Sequence, residues 1–164
     1  MSDFTRFSGD LDTTYDKAAS KELGKDYWRV TTAFDYKIGS EDSNKKVSIA
    51  KGYLTDGASV PFFLWWLLPA WGEYGQAAVV HDKLCETWKI IEIVEGNEIE
   101  RDIDRAECDR ILYEAMRVLE VEAWRRVAIQ IGVDLYRFLR RPSKPTKNKK
   151  KLQLEKGYGL PVAA

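Results

Sequence analysis

One histidine, His81, serves the whole chain of 164 residues. Any chemistry that needs an imidazole near neutral pH therefore falls to that residue alone. Cysteine is nearly as scarce: Cys85 and Cys108 are too few for a disulfide scaffold. With so few His and Cys side chains, zinc is disfavoured as a partner. Net charge is missing as well. The 26 Lys and Arg balance 26 Asp and Glu, which leaves no global field to draw in nucleic acid or an anionic membrane. No apolar run reaches the roughly 18 residues that a membrane span needs. The opening MSDFTRFSGDLDTT lacks the basic start and apolar core of a signal peptide. These absences lead us to expect a soluble protein made in the cytosol, with one domain around one core.

What is present begins with alternation. Residues 1–26 read as an irregular arm with at most a short edge strand. From Tyr27 on, Trp28, Val30, Thr32, Phe34, Tyr36 and Ile38 alternate with Arg29, Thr31, Ala33, Asp35 and Lys37, the period of a half-buried strand. GSEDSN at 39–44 is loop chemistry, and alternation resumes over Lys45–Leu54, which predicts an antiparallel hairpin. Asp56-Gly57 then suits a tight turn, and Pro61 cannot continue a ladder. Spacings of three and four predict helices over Glu73–Trp88, Ile103–Leu119 (capped by Asp102 or Asp104) and Glu122–Leu139, the last burying Trp124, Val127, Ala128, Ile131, Leu135 and Phe138. Lys89–Asn97 reads either as a helix end with a turn or as a short strand. The expected class is α+β: an N-terminal antiparallel hairpin or small sheet, then a three-helix C-terminal part. Residues 27–140 form the domain, and 141–164 a basic, flexible tail.

The chemistry concentrates between Thr55 and Glu86. If the first two long helices run antiparallel, His81 faces Asp109, and a carboxylate on one ring nitrogen fixes the tautomer and prepares the other nitrogen as a base. Asp82 points roughly 100° away round the helix, toward a hard cation held at the Asp56-Gly57 turn; carboxylates and carbonyls suit Ca²⁺. Against this, a His-Asp pair between helices is often a structural hydrogen bond, and Asp56 is explained equally well as a turn cap. Cys85 and Cys108 read as small buried hydrophobes, or as a disulfide if the protein is exported.

The segments GYLTDGASVP, AAVVHDKLC and AECDRILYEAM together resemble the phage- and prophage-encoded family catalogued as domain of unknown function 1353, over about residues 27–120. That resemblance implies a viral or prophage origin and no agreed activity. Within it, the two helices resemble the core of secreted, bacterial and parvoviral phospholipases A2, in which a helix bearing His-Asp with an aromatic four residues after the histidine is followed by a second helix bearing Ala-Asp-x-x-Phe. The likeness implies His81 as the base that activates water, Asp82 as a calcium ligand and Asp109 as the residue that orients the imidazole. Three departures stand beside it. Cys85 occupies the place of the expected tyrosine, for which Tyr113 is the spatial substitute; Leu112 replaces a phenylalanine; and TDGASVP is not a glycine-rich calcium loop.

PFFLWWLLPAW offers Phe62, Phe63, Trp65, Trp66 and Trp71 either as a plug between sheet and helices or as a contact face for a lipid interface or another subunit. Lys147, Lys149, Lys150 and Lys151 belong to the basic tail, a solvated extension or a salt-sensitive dock for DNA, anionic lipid or acidic protein. Two functions follow as expectations. One is a calcium-assisted hydrolase that a phage uses at host penetration or lysis. The other is a non-catalytic virion or host-interaction protein, made in the host cytoplasm and carried in the particle.

Overall fold

The computed structural model describes residues 6–57, 72–146 and 148–158. The long alternation from Trp28 to Ile38 belongs to two strands in two sheets. Strand β2 (Trp28–Val30) lies between β1 (Thr13–Tyr15) and β5 (Leu54–Thr55). Strand β3 (Phe34–Lys37) opens a second sheet, continued by β4 (Lys45–Ile49), β6 (Lys89–Val94) and β7 (Asn97–Asp102) in the order β3-β4-β6-β7. All pairings are antiparallel. The expected hairpin is present, with Phe34 opposite Ile49 and Lys37 opposite Lys46. Val30, Phe34 and Tyr36 all enter the same core, so side-chain parity survives the crossing at 31–33 and the pattern conceals the change of sheet.

A second break falls between β4 and β5. Gly52 sits at φ +92°, and a Cβ there would lie 2.7 Å from Cδ1 of Tyr158. Both the backbone sign and the close ring require glycine. Gly52→Ala is expected to lower folding stability by about 1–3 kcal/mol, read as a lower urea midpoint at unchanged slope. An unchanged midpoint would mean that Tyr158 does not pack there.

Lys89–Asn97 resolves as a hairpin. Glu95 and Gly96 both take positive φ, as a two-residue turn between right-twisted strands demands, and Val94 pairs with Asn97. Strand β7 is exposed along its length, so its sequence carries no burial pattern by which to recognise it.

The helices α2 (Gly75–Thr87) and α3 (Arg105–Val118) lie where their periodicity places them. Asp104 is the cap of α3, accepting from the Glu107 amide at 2.8 Å. The two helices bury Val79, Val80, Leu84, Ile111 and Met116 with Tyr36 and Ile49 of the second sheet.

Three expectations are corrected. The N-terminal arm contains helix α1 (Lys17–Leu23), whose Asp16 cap accepts from the Ala19 amide; Ala19 packs with Tyr27 and Leu54 in a small second core. The basic tail holds helix α5 (Lys149–Lys156), capped by Asn148 and docked beside α1 with Leu154 against that second core. Helix α4 (Ala123–Arg140) forms as expected but turns Trp124, Val127, Ile131, Leu135 and Phe138 outward, while Ile129 and Val133 pack inward. Its apolar stripe is therefore not the face it buries.

Candidate functional site

Helix α2 presents two pairs of polar side chains on neighbouring faces, each pair one turn apart: His81 with Cys85, and Asp82 with Glu86. The first pair faces α3. His81 meets Asp109 and Cys85 meets Arg105, the register of antiparallel neighbours. His81 Nε2 lies 2.8 Å from Asp109 Oδ1. In the neutral imidazole this contact is an Nε2–H donor on the carboxylate, so Nδ1 keeps its lone pair. Among the described residues Nδ1 has no hydrogen-bond partner.

Asp109 is 1% exposed and carries three contacts from three helices. Besides His81, Arg105 Nε donates to Oδ1 at 3.1 Å and Arg137 of α4 donates to Oδ2 at 3.0 Å. The His81 side chain is 12% exposed. Burial pulls its pKa below the ordinary value; Asp109 opposes that shift and Arg105 adds to it. The ring is accordingly neutral at pH 7, the form that accepts a proton.

Cys85 Sγ lies 3.4 Å from the same Nε2 and accepts from Arg105 at 2.8 Å. Thiol and carboxylate thus share one ring nitrogen, whereas a nucleophile–base relay needs them on opposite nitrogens. Burial also pushes the Cys85 thiol far up and Cys108 up to about 12, so both stay protonated. Both cysteines are free, in accordance with the buried-thiol reading.

The second face of α2 meets β5 and α5. Asp82 accepts from the Thr55 hydroxyl at 3.0 Å. Its carboxyl is raised well above the ordinary value by burial and then by the negative charge of Asp56. Asp56 itself pairs with Lys25. Lys151, only 5% exposed, pairs with Glu86, lies 3.6 Å from Glu155 and sits 4.2 Å from the centre of the Tyr53 ring. Tyr53 also donates to Glu86 at 3.2 Å. Asp82 and Asp56 thus share one electrostatic neighbourhood. Among the described residues no group of three or more His, Cys, Asp or Glu is arranged to hold a metal ion. The Asp82 and Asp56 carboxylates and the Thr55 hydroxyl, among the described residues, offer oxygen donors to a hard cation there.

The remaining expected residues are placed as follows. Tyr113 stands one turn beyond Asp109, beneath the Arg126 guanidinium at 5.9 Å, and hydrogen-bonds to neither His81 nor Asp109. Cys85, four residues after the histidine, touches the ring itself. Lys149 and Lys150 are exposed, and Lys150 pairs with Glu22 at 2.9 Å. Phe62, Phe63, Trp65, Trp66, Trp71 and Lys147 lie outside the described residues. Sequence reasoning missed Arg105, Arg137 and Glu86, and read Lys151 as part of the basic tail where the structure buries it against Glu86. Arg105 was within reach, one helical turn before Asp109; so was Glu86, one turn after Asp82. Arg137 had no local signal, because it arrives from a third helix. Lys151 is hidden in a run of lysines.

No described helix is long and apolar enough to cross a membrane. No curated protein and no solved structure matches the chain. A family model described as "Protein of unknown function (DUF1353)" matches residues 28–133, a span that runs from β2 into α4 and takes in both His81 and Asp109. The chain, matched over well more than half its length from the first sheet through the His81–Asp109 helix pair, belongs to that family.

Proposed function

We propose that the protein is a small phage-associated hydrolase in which His81 activates water for attack on an ester. One observation carries this reading: Nε2 lies 2.8 Å from a buried carboxylate while Nδ1 has no hydrogen-bond partner among the described residues. Water at Nδ1 gives up a proton to the ring as its oxygen bonds to the ester carbonyl carbon. Collapse of the tetrahedral species breaks the bond to the alcohol, which takes the proton back from Nδ1. Asp109 holds the ring through both transfers and balances the imidazolium between them. Asp82 and Asp56 are the residues that would hold a calcium ion, which when bound supplies stabilisation of the oxyanion.

The test is hydrolysis of short-chain esters and phospholipid vesicles by the full chain. His81→Ala is expected to lower the rate by at least about 100-fold with an unchanged circular dichroism spectrum. Calcium is expected to raise the melting temperature of the wild type but not of Asp82→Ala. Equal rates for wild type and His81→Ala would end the proposal.

A second reading is favoured by Arg105 and Arg137. With two guanidiniums already on Asp109, a protonated His81 gains less there, and the cluster serves equally to pin α2, α3 and α4 together. In that case the protein is a non-catalytic virion or host-interaction component, and the wild type hydrolyses no ester.

A further inference from the structure

Helix α5 lies beyond residues 28–133, the span matched by the family model, yet it packs against the face of α2 that carries Asp82 and Glu86. Its contacts close a ring. Asp82 accepts from the Thr55 hydroxyl, and the neighbouring Leu54 amide donates to Glu155 of α5 at 2.9 Å. Glu155 stands one turn after Lys151, and Lys151 pairs with Glu86, one turn after Asp82. Asp56 follows Thr55 directly and completes the group. Among the described residues, four carboxylates thus meet two ammonium groups: Lys25 on Asp56 and Lys151 on Glu86. Asp82 is bonded to a hydroxyl instead, so positive charge reaches it only through space, from Lys151.

The two ammonium groups are held very differently. The Lys25 side chain is 55% exposed, and an exposed ion pair of this kind gives way at little cost. Lys151 is nearly sealed against the Tyr53 ring and rides on a helix with other anchors. Leu154 packs in the second core, its carbonyl accepts from Arg29 at 3.4 Å, and Lys150 pairs with Glu22. A fixed positive charge therefore stands beside Asp82. A divalent ion held by Asp82 and Asp56 would meet that charge in a place where water screens poorly. The repulsion acts on both partners equally: whatever affinity α5 takes from the ion, the ion takes from α5.

We infer that Lys151 is a tethered competitor for the cation site at Asp82 and Asp56, so that calcium binding and α5 docking oppose one another. The inference rests on the calcium role proposed above and adds its regulation. It requires no ester to be hydrolysed.

Calorimetric titration of the full chain with calcium chloride tests the inference. Lys151→Met is expected to bind calcium at least about 10-fold more tightly than the wild type. Adding Asp82→Asn to Lys151→Met is expected to abolish that gain. Lys150→Met, which removes an exposed ammonium from the same helix, should leave the affinity within about 2-fold of the wild type. Conversely, saturating calcium should speed tryptic cleavage of the wild type within residues 149–156. Equal affinities for wild type and Lys151→Met overturn the inference and leave a calcium role for Asp82 standing. Binding by neither overturns both. A double variant that keeps the tight binding puts the ion at Glu86 and Glu155 and also overturns the inference. Should Lys151→Met fail to fold, wild-type cleavage decides: calcium that slows it, or leaves it unchanged, refutes the competition. Coupling of the expected sign in a protein that hydrolyses no ester sustains the inference and removes the hydrolase reading alone.

Discussion

Asp109→Ala is expected to lower folding stability by about 3–5 kcal/mol, the largest effect of any single substitution considered for this chain. The carboxylate is 1% exposed and is the acidic group that His81, Arg105 and Arg137 share. Removing it leaves Arg105, itself mostly buried, without its carboxylate and removes the acceptor for the imidazole. Breaking one side of a buried ionic cluster costs far more than the cluster gains over an apolar replacement, because the surviving charge stays desolvated. Asp109→Asn keeps the shape and one carbonyl oxygen for His81 Nε2–H but loses the charge that balances the guanidiniums. It should therefore fall between wild type and Asp109→Ala. Urea unfolding followed by tryptophan fluorescence measures both. A cost below about 1 kcal/mol for Asp109→Ala, the range of an exposed ion pair, would mean that the carboxylate is not the junction of α2, α3 and α4.

Lys151→Met is expected to lower stability by about 3 kcal/mol at pH 7 and to loosen α5 from the domain. The ammonium is nearly as buried as the core and is flanked by Glu86, Glu155 and the Tyr53 ring. Without it Glu86 and Glu155 face one another, with Asp82 and Asp56 close by. The pH dependence has a definite sign. Burial already raises the Glu86 carboxyl above its ordinary 4.5, opposed chiefly by Lys151, and Asp82 is raised in the same direction. A raised carboxyl binds its proton more tightly in the folded state, so stability falls as pH rises from the unfolded value through the folded one. Loss of Lys151 raises Glu86 further, so the deficit should be largest above neutrality and shrink toward pH 4.5. A deficit that is the same at pH 5 and pH 8 would contradict this placement. Limited proteolysis should cut the variant within residues 141–156 sooner than the wild type.

The sequence made the local periods legible and left the long-range ones dark. Tyr36, Val47 and Ile49 announce the β3–β4 hairpin, because one face of each strand is buried and the parity is unambiguous. The α2–α3 pair, and with it the His81–Asp109 contact, follows from three-four spacing and from a connection that returns the chain on itself through the β6–β7 hairpin. Three things could not be read in this way. The chain changes sheets at residues 31–33 without changing parity, so nothing in the alternation marks the event. Arg29, which alternation assigns to solvent, is buried because Asp16, the Gly52 carbonyl and the Tyr158 ring converge on it from distant parts of the chain. The basic tail looks like a solvated run, yet Lys151 is held by acids 65 and 4 residues away, the nearer one on its own helix. The apolar period of α4 was read correctly as a stripe and incorrectly as the buried one. Periodicity shows that a face is apolar; what covers that face depends on the rest of the fold. Of the site, the imidazole, its carboxylate and the neighbouring Asp82 were visible, whereas the arginines that temper the pair were not.

Because His81 is the only histidine in the chain, its ring nitrogens can be observed without assignment ambiguity. Nitrogen NMR of the isotope-labelled protein near pH 7 is therefore the most direct test of the central claim that Nε2 is committed to Asp109 and Nδ1 is the base. The expected spectrum shows a neutral ring with the proton on Nε2 and Nδ1 unprotonated, and Asp109→Asn should perturb the Nε2 resonance first. A proton on Nδ1, or a ring that exchanges between both tautomers as in free histidine, would contradict it.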